Sequence, residues 1–203
     1  MLPFDVILFD VGGVLLTNGW DTKGRSAVVN QFGLDFAEFE ERHPEPNDRW
    51  EKDEITVNQY LDETVFYEPR GFTHEDFAKA ILGQSSVIPE TGLPVLKELA
   101  ADGKYLIGSL NNEAREPNDY RFDNFGLRKL FKVALSSCYI GLRKPSPEIY
   151  KRTIDILGVK PDRILFIDDR QSNVDFAADA GIQTIRFTGE TTLRQSLKEL
   201  DVL

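Results

Sequence analysis

Three aspartates stand at the ends of apolar runs, where a carboxylate can do chemistry. Asp10 follows VILF (6–9), and Asp168 and Asp169 follow RILFI (163–167). A buried carboxylate is tolerated where a partner or a cation offsets its charge. Facing carboxylates repel one another unless a cation lies between them, and oxygen ligands of this kind suit Mg²⁺. The three aspartates therefore predict a magnesium site.

Asp10 is also a candidate nucleophile, because a free aspartate carboxylate can attack phosphorus and form an acyl phosphate. The phosphoryl oxygens then need neutralising groups. Mg²⁺, the Lys144 ammonium in GLRKPSPEIY and the Ser109 hydroxyl in YLIGS would supply them. Gly12 and Gly13 follow the nucleophile closely, and residues without a Cβ let the backbone approach a phosphate.

Some of these polar residues have ordinary explanations as well. Ser109 taken alone is better explained as a turn or cap residue, and Asn111 and Asn112 suit substrate binding and helix capping equally. Polar residues nevertheless follow four separate apolar runs. This combination, rather than any one residue, indicates a site for a phosphorylated ligand.

The apolar runs predict the elements that position these residues. They are short, rich in β-branched and aromatic residues, and bounded by turn signals, which is typical of strands: VILF (6–9), YLIGS (105–109), KVALS (132–136), RILFI (163–167) and QTIRF (183–187). Helical segments are predicted near 112–125, 146–158, 171–180 and 191–201. This alternation predicts an α/β fold with a doubly wound parallel sheet, and ligands of such sheets bind beyond the carboxyl ends of the strands.

Residues 18–88 show helical patterns and no convincing strand run. We therefore expect an all-helical insertion, with an α/β core formed by 1–17 and 89–203 and a helical cap formed by 18–88. The proline-containing stretch HPEPNDRW (43–50) is expected to be a loop between two cap helices.

Composition and charge exclude several classes of protein. The net charge of −10 argues against a nucleic-acid partner, since such proteins normally present a basic face. No apolar run is long enough to cross a bilayer, and the N-terminus lacks a secretory signal pattern. The single cysteine, Cys138, cannot form an internal disulfide, which fits a reducing compartment. The expected location is the cytoplasm.

The order of the motifs resembles the haloacid dehalogenase-like (HAD) hydrolase superfamily. FDVGGVLL is similar to its first motif, LIGSLNN to its second, GLRKPSPEIY to its third and ILFIDDRQSNVDFAADAGI to its fourth. The resemblance covers the sheet domain, and the helical insertion is similar to the family's cap. It implies a Rossmann-like core with these site residues: Asp10 as nucleophile, the Gly12 carbonyl as a metal ligand, Ser109 as phosphate donor, Lys144 as charge stabiliser, and Asp168 and Asp169 on the metal side.

One departure from the family leaves three functions open. Phosphatases of this superfamily usually carry a second aspartate as general acid and base two positions after the nucleophile, and here that position is Gly12. Dehalogenases also lack it, but they need no metal, and Asp168 and Asp169 would then only repel an anionic substrate. A binding protein without turnover is the third alternative. The favoured prediction is a Mg²⁺-dependent phosphatase of a small phosphorylated metabolite, with a sugar phosphate indicated by resemblance alone.

Four further residues are weaker candidates. Asn173 would lie near Asp169 and hold a metal-bound water, or it is a simple first-turn polar residue. Arg143 is expected to pair with a carboxylate. His43 is the less remote of the two histidines as a replacement proton donor, although a histidine without a visible partner is usually a packing residue. Trp20 is expected near the cleft between cap and core.

Overall fold

The structure is a computed structural model that describes residues 2–203. Five strands form one parallel sheet in the order β3-β2-β1-β4-β5. They are β1 (Val6–Phe9), β2 (Leu106–Ser109), β3 (Val133–Ala134), β4 (Ile164–Asp168) and β5 (Gln183–Arg186). The predicted parallel α/β fold is confirmed, and all five predicted strands are present, with β3 shorter than expected.

Eleven α-helices lie within the described residues. Those between β1 and β2 are α1 (Thr22–Gln31), α2 (Phe36–Arg42), α3 (Pro44–Glu51), α4 (Val57–Thr64), α5 (His74–Leu82) and α6 (Leu93–Asp102). Those after β2 are α7 (Arg115–Asn124), α8 (Ser137–Ile140), α9 (Pro147–Leu157), α10 (Gln171–Asp179) and α11 (Glu190–Glu199). No helix within residues 2–203 has both the length and the apolar character that crossing a bilayer requires.

The sheet is buried on both faces, which explains why its central strands are apolar throughout. Successive side chains of a strand point to opposite faces. Ile7 and Phe9 accordingly lie in one apolar cluster with residues of α6 and α11, whereas Val6 and Leu8 lie in another with residues of α9 and α10. Helices therefore cover the sheet on both sides, and its carboxyl edge stays open for polar residues.

The insertion between β1 and α6 contains helices α1 to α5, which share an aromatic-rich apolar cluster of their own. The prediction of a loop at HPEPNDRW was wrong, because α3 runs through it. Pro44 occupies the first turn of α3, where the missing N–H breaks no intrahelical hydrogen bond and the fixed φ suits a helix. The prolines therefore begin this helix and do not interrupt it.

Two short linkers connect the insertion to the sheet, and they lie side by side. Leu16 forms an antiparallel bridge with Val87. The Thr17 N–H donates to the Ser86 carbonyl at 2.8 Å, and the Thr17 hydroxyl donates to the Gln84 carbonyl at 2.8 Å. The chain thus enters and leaves the insertion at one place.

Candidate active site

Asp10 lies directly beyond β1, at the carboxyl edge of the sheet. Its N–H donates to the Ile167 carbonyl at 2.8 Å, so the strand geometry continues to this residue and fixes its position. One carboxylate oxygen accepts from the Val11 N–H at 2.7 Å. Burial raises the pKa of Asp10 to about 7, although the Lys144 ammonium opposes this change. Only 7% of the residue is exposed, on the wall of a cavity.

Asp168 and Asp169 bring two more carboxylates to the same place from the end of β4. One oxygen of each, and one of Asp10, all lie within 4.8 Å of one another. Asp168 is fully buried and accepts from the Lys144 ammonium at 2.6 Å and from the Asn173 amide at 3.0 Å. The Oδ1 atom of Asp169 is buried and has no hydrogen-bond partner in the described chain. A buried carboxylate oxygen without a hydrogen-bond partner is available as a ligand for a cation.

Gly13 allows the carboxylate of Asp169 to reach the loop that follows Asp10. A Cβ at Gly13 would lie 2.3 Å from Oδ2 of Asp169, and the φ angle of +74° also disfavours other residues. Any side chain here would therefore displace Asp169. Gly13 acts on the carboxylate and is not among the residues that line the cavity.

Lys144 balances part of the negative charge. Its ammonium lies 3.1 Å from Asp10 and 2.6 Å from Asp168, and 2% of its side chain is exposed. Burial alone would lower the pKa of Lys144, but the carboxylates of Asp10 and Asp168 outweigh burial and the pKa is raised. Three carboxylates thus face one ammonium, and the remaining negative charge suits a divalent cation.

Asn112 positions Lys144. Its amide N–H donates to the Lys144 carbonyl, and its Oδ1 accepts from the Lys144 N–H, both at 2.8 Å. Asn112 also lines the cavity, so a substrate contact remains open to it. The sequence suggested substrate binding or helix capping for this residue. The two hydrogen bonds to the backbone of Lys144, which we call the backbone clamp, are seen only in the structure.

Ser109 and Asn111 do not line the cavity. Ser109 is paired in register with Phe9 and therefore faces the same side of the sheet as Phe9, opposite to the following residue Asp10. Leu110 occupies the position beside Asp10 and is fully buried in the other apolar cluster. Asn111 is buried, donates to Asn118 at 2.9 Å and accepts from Ser136 at 2.9 Å. Their role in binding phosphate therefore stays a prediction, and their side chains lie outside the cavity lining.

The cavity has a volume of about 250 Å³ and lies between the sheet edge and the insertion. Asp10 and Lys144 line it, and Asp168 and Asp169 lie next to them outside its lining. We call these four residues the cavity floor. The insertion contributes polar side chains that the sequence analysis missed, apart from the weak candidates His43 and Trp20. Its lining residues are Asn18, Trp20, Asp21, Arg25, His43, Asn47 and Glu51.

Three of these residues form what we call the cavity roof: His43, Asn47 and Glu51, on or just before α3. They are spaced four residues apart, which places them on one side of a helix. Asn47 donates to Glu51 at 3.1 Å along this stripe. The spacing is visible in the sequence, but it has meaning only if HPEPNDRW is a helix.

Residue 12 lines the cavity and faces Asn18. A Cβ at Gly12 would lie 2.8 Å from Oδ1 of Asn18. The carboxamide of Asn18 therefore takes up the space into which a side chain at residue 12 would project. A carboxamide does not titrate, so it is no substitute for an acid or a base.

Charged side chains hold the roof against the sheet domain. Arg143 donates to Asp48 at 2.7 Å, and Arg115 donates to Asp53 through two nitrogens at 2.7 and 2.5 Å. Glu116 accepts from the Trp50 indole N–H at 2.9 Å and from the Val57 N–H, at the start of α4, at 3.1 Å. Asp48, Trp50 and Asp53 belong to α3 or follow it closely, so these contacts fix the roof above the floor.

A second charged pair lies in the cavity wall beside the first linker. Glu113 and Arg121 are both buried and form an ion pair, and Arg121 also donates to the Thr17 carbonyl. Burial raises the pKa of Glu113 to about 7 against the influence of Arg121. No pattern in the sequence indicates this pair, whose members lie on α7 and in the loop before it.

Comparison with known proteins identifies relatives of different lengths. Acyl-CoA dehydrogenase family member 10 of Mus musculus is 28% identical over 98% of this chain, which spans only 19% of that protein. Flavin mononucleotide hydrolase 1 of Arabidopsis thaliana is 27% identical over 97% of this chain and 78% of its own length.

Solved structures agree with the fold. The magnesium complex of the HAD family enzyme bt-2542 from Bacteroides thetaiotaomicron superposes with a TM-score of 0.79 and 24% identity, covering 92% of this chain and 94% of that one. The family model described as haloacid dehalogenase-like hydrolase matches residues 4–181. Since that match covers most of the chain, this protein belongs to the haloacid dehalogenase-like hydrolases.

Proposed function

We propose that this hydrolase is a Mg²⁺-dependent phosphatase of a small phosphorylated metabolite. The observation that carries the proposal is the cavity floor, where Asp10 lies beside one buried ammonium and two further carboxylates. The division into a core (1–17 and 89–203) and a cap (18–88) that covers the floor is part of the same proposal.

The donor set of the floor fits Mg²⁺. The carboxylates of Asp10, Asp168 and Asp169 would hold the ion, and the resemblance adds the carbonyl of Gly12. The buried, unpartnered Oδ1 of Asp169 supports this assignment. When bound there, the ion supplies neutralisation of the phosphoryl oxygens. The magnesium complex of the related fold is consistent with it.

The carboxylate of Asp10 attacks phosphorus, so that an O–P bond forms to Asp10 while the ester P–O bond breaks, and the leaving oxygen takes its proton from a water molecule. Lys144 stabilises the negative charge that develops on the phosphoryl oxygens. Water then attacks phosphorus, which releases phosphate and restores the Asp10 carboxylate. The roof excludes bulk water during both steps.

The cavity itself favours a small polar substrate. Its volume of about 250 Å³ lies below the range of roughly 300–1,000 Å³ that drug-sized ligands occupy. Trp20 and the imidazole of His43 are the aromatic rings among its lining residues, and the others are polar, charged or glycine. A sugar phosphate fits this description, and the resemblance favours the same class.

The decisive experiment measures phosphate release from a panel of phosphorylated metabolites and an aryl phosphate, with Mg²⁺ and with EDTA. Phosphate release should require the metal and be abolished in Asp10→Asn. The matched control is Asp5→Asn, the same substitution near the other end of β1, where Asp5 pairs with Arg163. Turnover that survives Asp10→Asn or EDTA would contradict the mechanism.

Gly12 favours one other activity, because dehalogenases also lack a carboxylate at that position. Halide release from 2-haloacids should therefore be measured in parallel. Metal-independent halide release would assign the chain to that class. If neither phosphate nor halide is released, a binding protein without turnover is favoured.

A further inference from the structure

His43 lies at the junction of α2 and α3, above the same cavity that Asp10 lines. The residue is 6% exposed, and its ring stacks on Phe39 with 5.6 Å between the ring centroids. The ring orientation is thus fixed by packing. Nδ1 of the imidazole contacts Tyr60 in the apolar cluster of the insertion, and the residue also lines the cavity.

A buried tyrosine determines which nitrogen of His43 carries the proton. Nδ1 lies 2.8 Å from the hydroxyl oxygen of Tyr60, and the Trp20 indole N–H donates to the same oxygen at 2.8 Å. Tyr60 is fully buried, and Nδ1 of His43 is an acceptor at 2.8 Å from its hydroxyl oxygen. Since an unmade buried hydrogen bond is costly, the O–H donates to Nδ1. The neutral ring therefore carries its proton on Nε2.

The surroundings keep the ring neutral. Burial lowers the pKa of His43 to about 4, and the guanidinium groups of Arg25 on α1 and Arg143 in the loop before α9 act in the same direction. The carboxylate of Glu40 on α2 opposes them without reversing the effect. A neutral imidazole with a fixed tautomer is a hydrogen-bond donor, not an acid or a base.

Nε2 has no protein partner in the part of the chain that the structure describes, and His43 lines the cavity. We propose that His43 donates a hydrogen bond from Nε2–H to an uncharged oxygen in the organic part of the substrate, and that it does not supply the proton missing at Gly12. The proposal rests on the phosphatase function. The phosphate lies near Lys144 on the floor, so the roof faces the rest of the substrate.

The stripe of Asn47 and Glu51 beside His43 points to the same substrate chemistry. Glu51 accepts from Asn47 at 3.1 Å and pairs with Arg143 at 2.6 Å, so its carboxylate is already engaged. The Asn47 amide can bind hydroxyl groups, and His43 adds a pure donor. We infer that the substrate carries hydroxyl or ether oxygens close to its phosphate ester. His43 is then a specificity-determining residue.

The tautomer can be measured without any substrate. The chain has two histidines, so a long-range ¹H–¹⁵N spectrum contains two imidazoles, and His74→Ala assigns them. We expect the His43 signals to show a protonated Nε2 and an unprotonated Nδ1, unchanged from pH 8 to pH 5. Tyr60→Phe should abolish this fixed pattern. An imidazolium or an Nδ1–H tautomer at neutral pH would overturn the proposal.

Kinetics then test the role. His43→Ala should raise KM about tenfold for the best substrate and leave kcat nearly unchanged, as expected when a binding contact is lost from ground and transition states alike. His43→Gln, whose amide N–H reaches a similar position, should recover part of the loss. His74→Ala, outside the cavity, is the matched control and should change neither value.

The outcomes separate this inference from the proposed function. If the wild-type protein releases phosphate and His43→Ala lowers kcat more for poor leaving groups than for good ones, His43 is the proton donor and the inference is wrong. If no phosphate ester is hydrolysed, the proposed function fails, and with it the role of His43. Should His43→Ala not fold, His43→Gln and the wild-type spectrum still decide between donor and acid.

Discussion

The cavity floor and the cavity roof differ in how the chain builds them. The floor collects residues from motifs far apart in sequence. Its three carboxylates lie at strand ends, and the Lys144 ammonium from the loop before α9 offsets part of their charge. The roof comes from one side of α3, and its groups are held by an aromatic cluster and by contacts to the sheet domain. The sheet fixes the chemistry, and a single helix presents the groups that face the rest of the substrate.

Removing the ammonium from the floor should have the largest effect on stability. Lys144→Met leaves the carboxylates of Asp10 and Asp168 buried without their cation, and we expect a loss of about 3–5 kcal/mol in the free energy of unfolding. Urea denaturation measures it, and added Mg²⁺ should restore part of the loss. Lys132→Met changes an exposed lysine and serves as control. Equal stability of the two variants would show that the floor charges are not coupled.

The roof should respond to acid through His43. The lowered pKa means that the folded state binds this proton more weakly than the unfolded state. Its contribution to stability is therefore complete above pH 6.5 and is lost progressively as the pH falls from 6.5 towards 4. The loss is about 3 kcal/mol.

Urea denaturation at pH 7.5 and pH 4.5 measures this effect. His43→Gln, which cannot titrate, should lose less stability between these two values than the wild type does. His74→Gln should follow the wild type. Identical acid sensitivity of wild type and His43→Gln would mean that His43 is not a buried neutral residue.

A smaller effect should come from the contact that joins roof and sheet domain at Glu116. Glu116→Gln keeps one acceptor oxygen but loses the charge and the second acceptor, so either Trp50 or Val57 is left without its partner. We expect a loss of about 1–2 kcal/mol. Trp50 is fully buried, so fluorescence quenching by a soluble quencher should increase. Glu98→Gln, on an exposed pair with Arg194, should change neither value.

The smallest effect is expected at Ser109. Ser109→Ala removes a buried hydroxyl that has no partner, so kcat and KM should stay within about twofold of the wild type and stability within about 1 kcal/mol. Asn112→Ala, in the loop after β2, should lower kcat clearly because it releases the backbone clamp on Lys144. A large loss of phosphate binding in Ser109→Ala would restore the role that the sequence suggested.

The sequence predicted the sheet well because its strands are short, apolar and separated by helices. The floor followed from the same pattern, since charged residues at parallel strand ends must meet at one edge. The pattern could not show that Ser109 and Asp10 face opposite sides, because this depends on how β1 and β2 are aligned. A shift of one residue exchanges the two faces.

The roof was hidden for a different reason. The two prolines in HPEPNDRW favour the prediction of a loop, although a proline in the first turn of a helix is also favourable. Without α3, the spacing of His43, Asn47 and Glu51 has no meaning. The tyrosine and tryptophan that fix the imidazole come from other parts of the insertion, and only tertiary packing brings them together.

The paired linkers at Thr17 and Ser86 have a consequence for the entropy of the chain. Because they lie side by side, the insertion is equivalent to a long loop between β1 and α6 whose two ends are joined by hydrogen bonds. The entropic cost of closing a loop grows only slowly with its length. Residues can therefore be added to or removed from the helical insertion at little cost to the sheet.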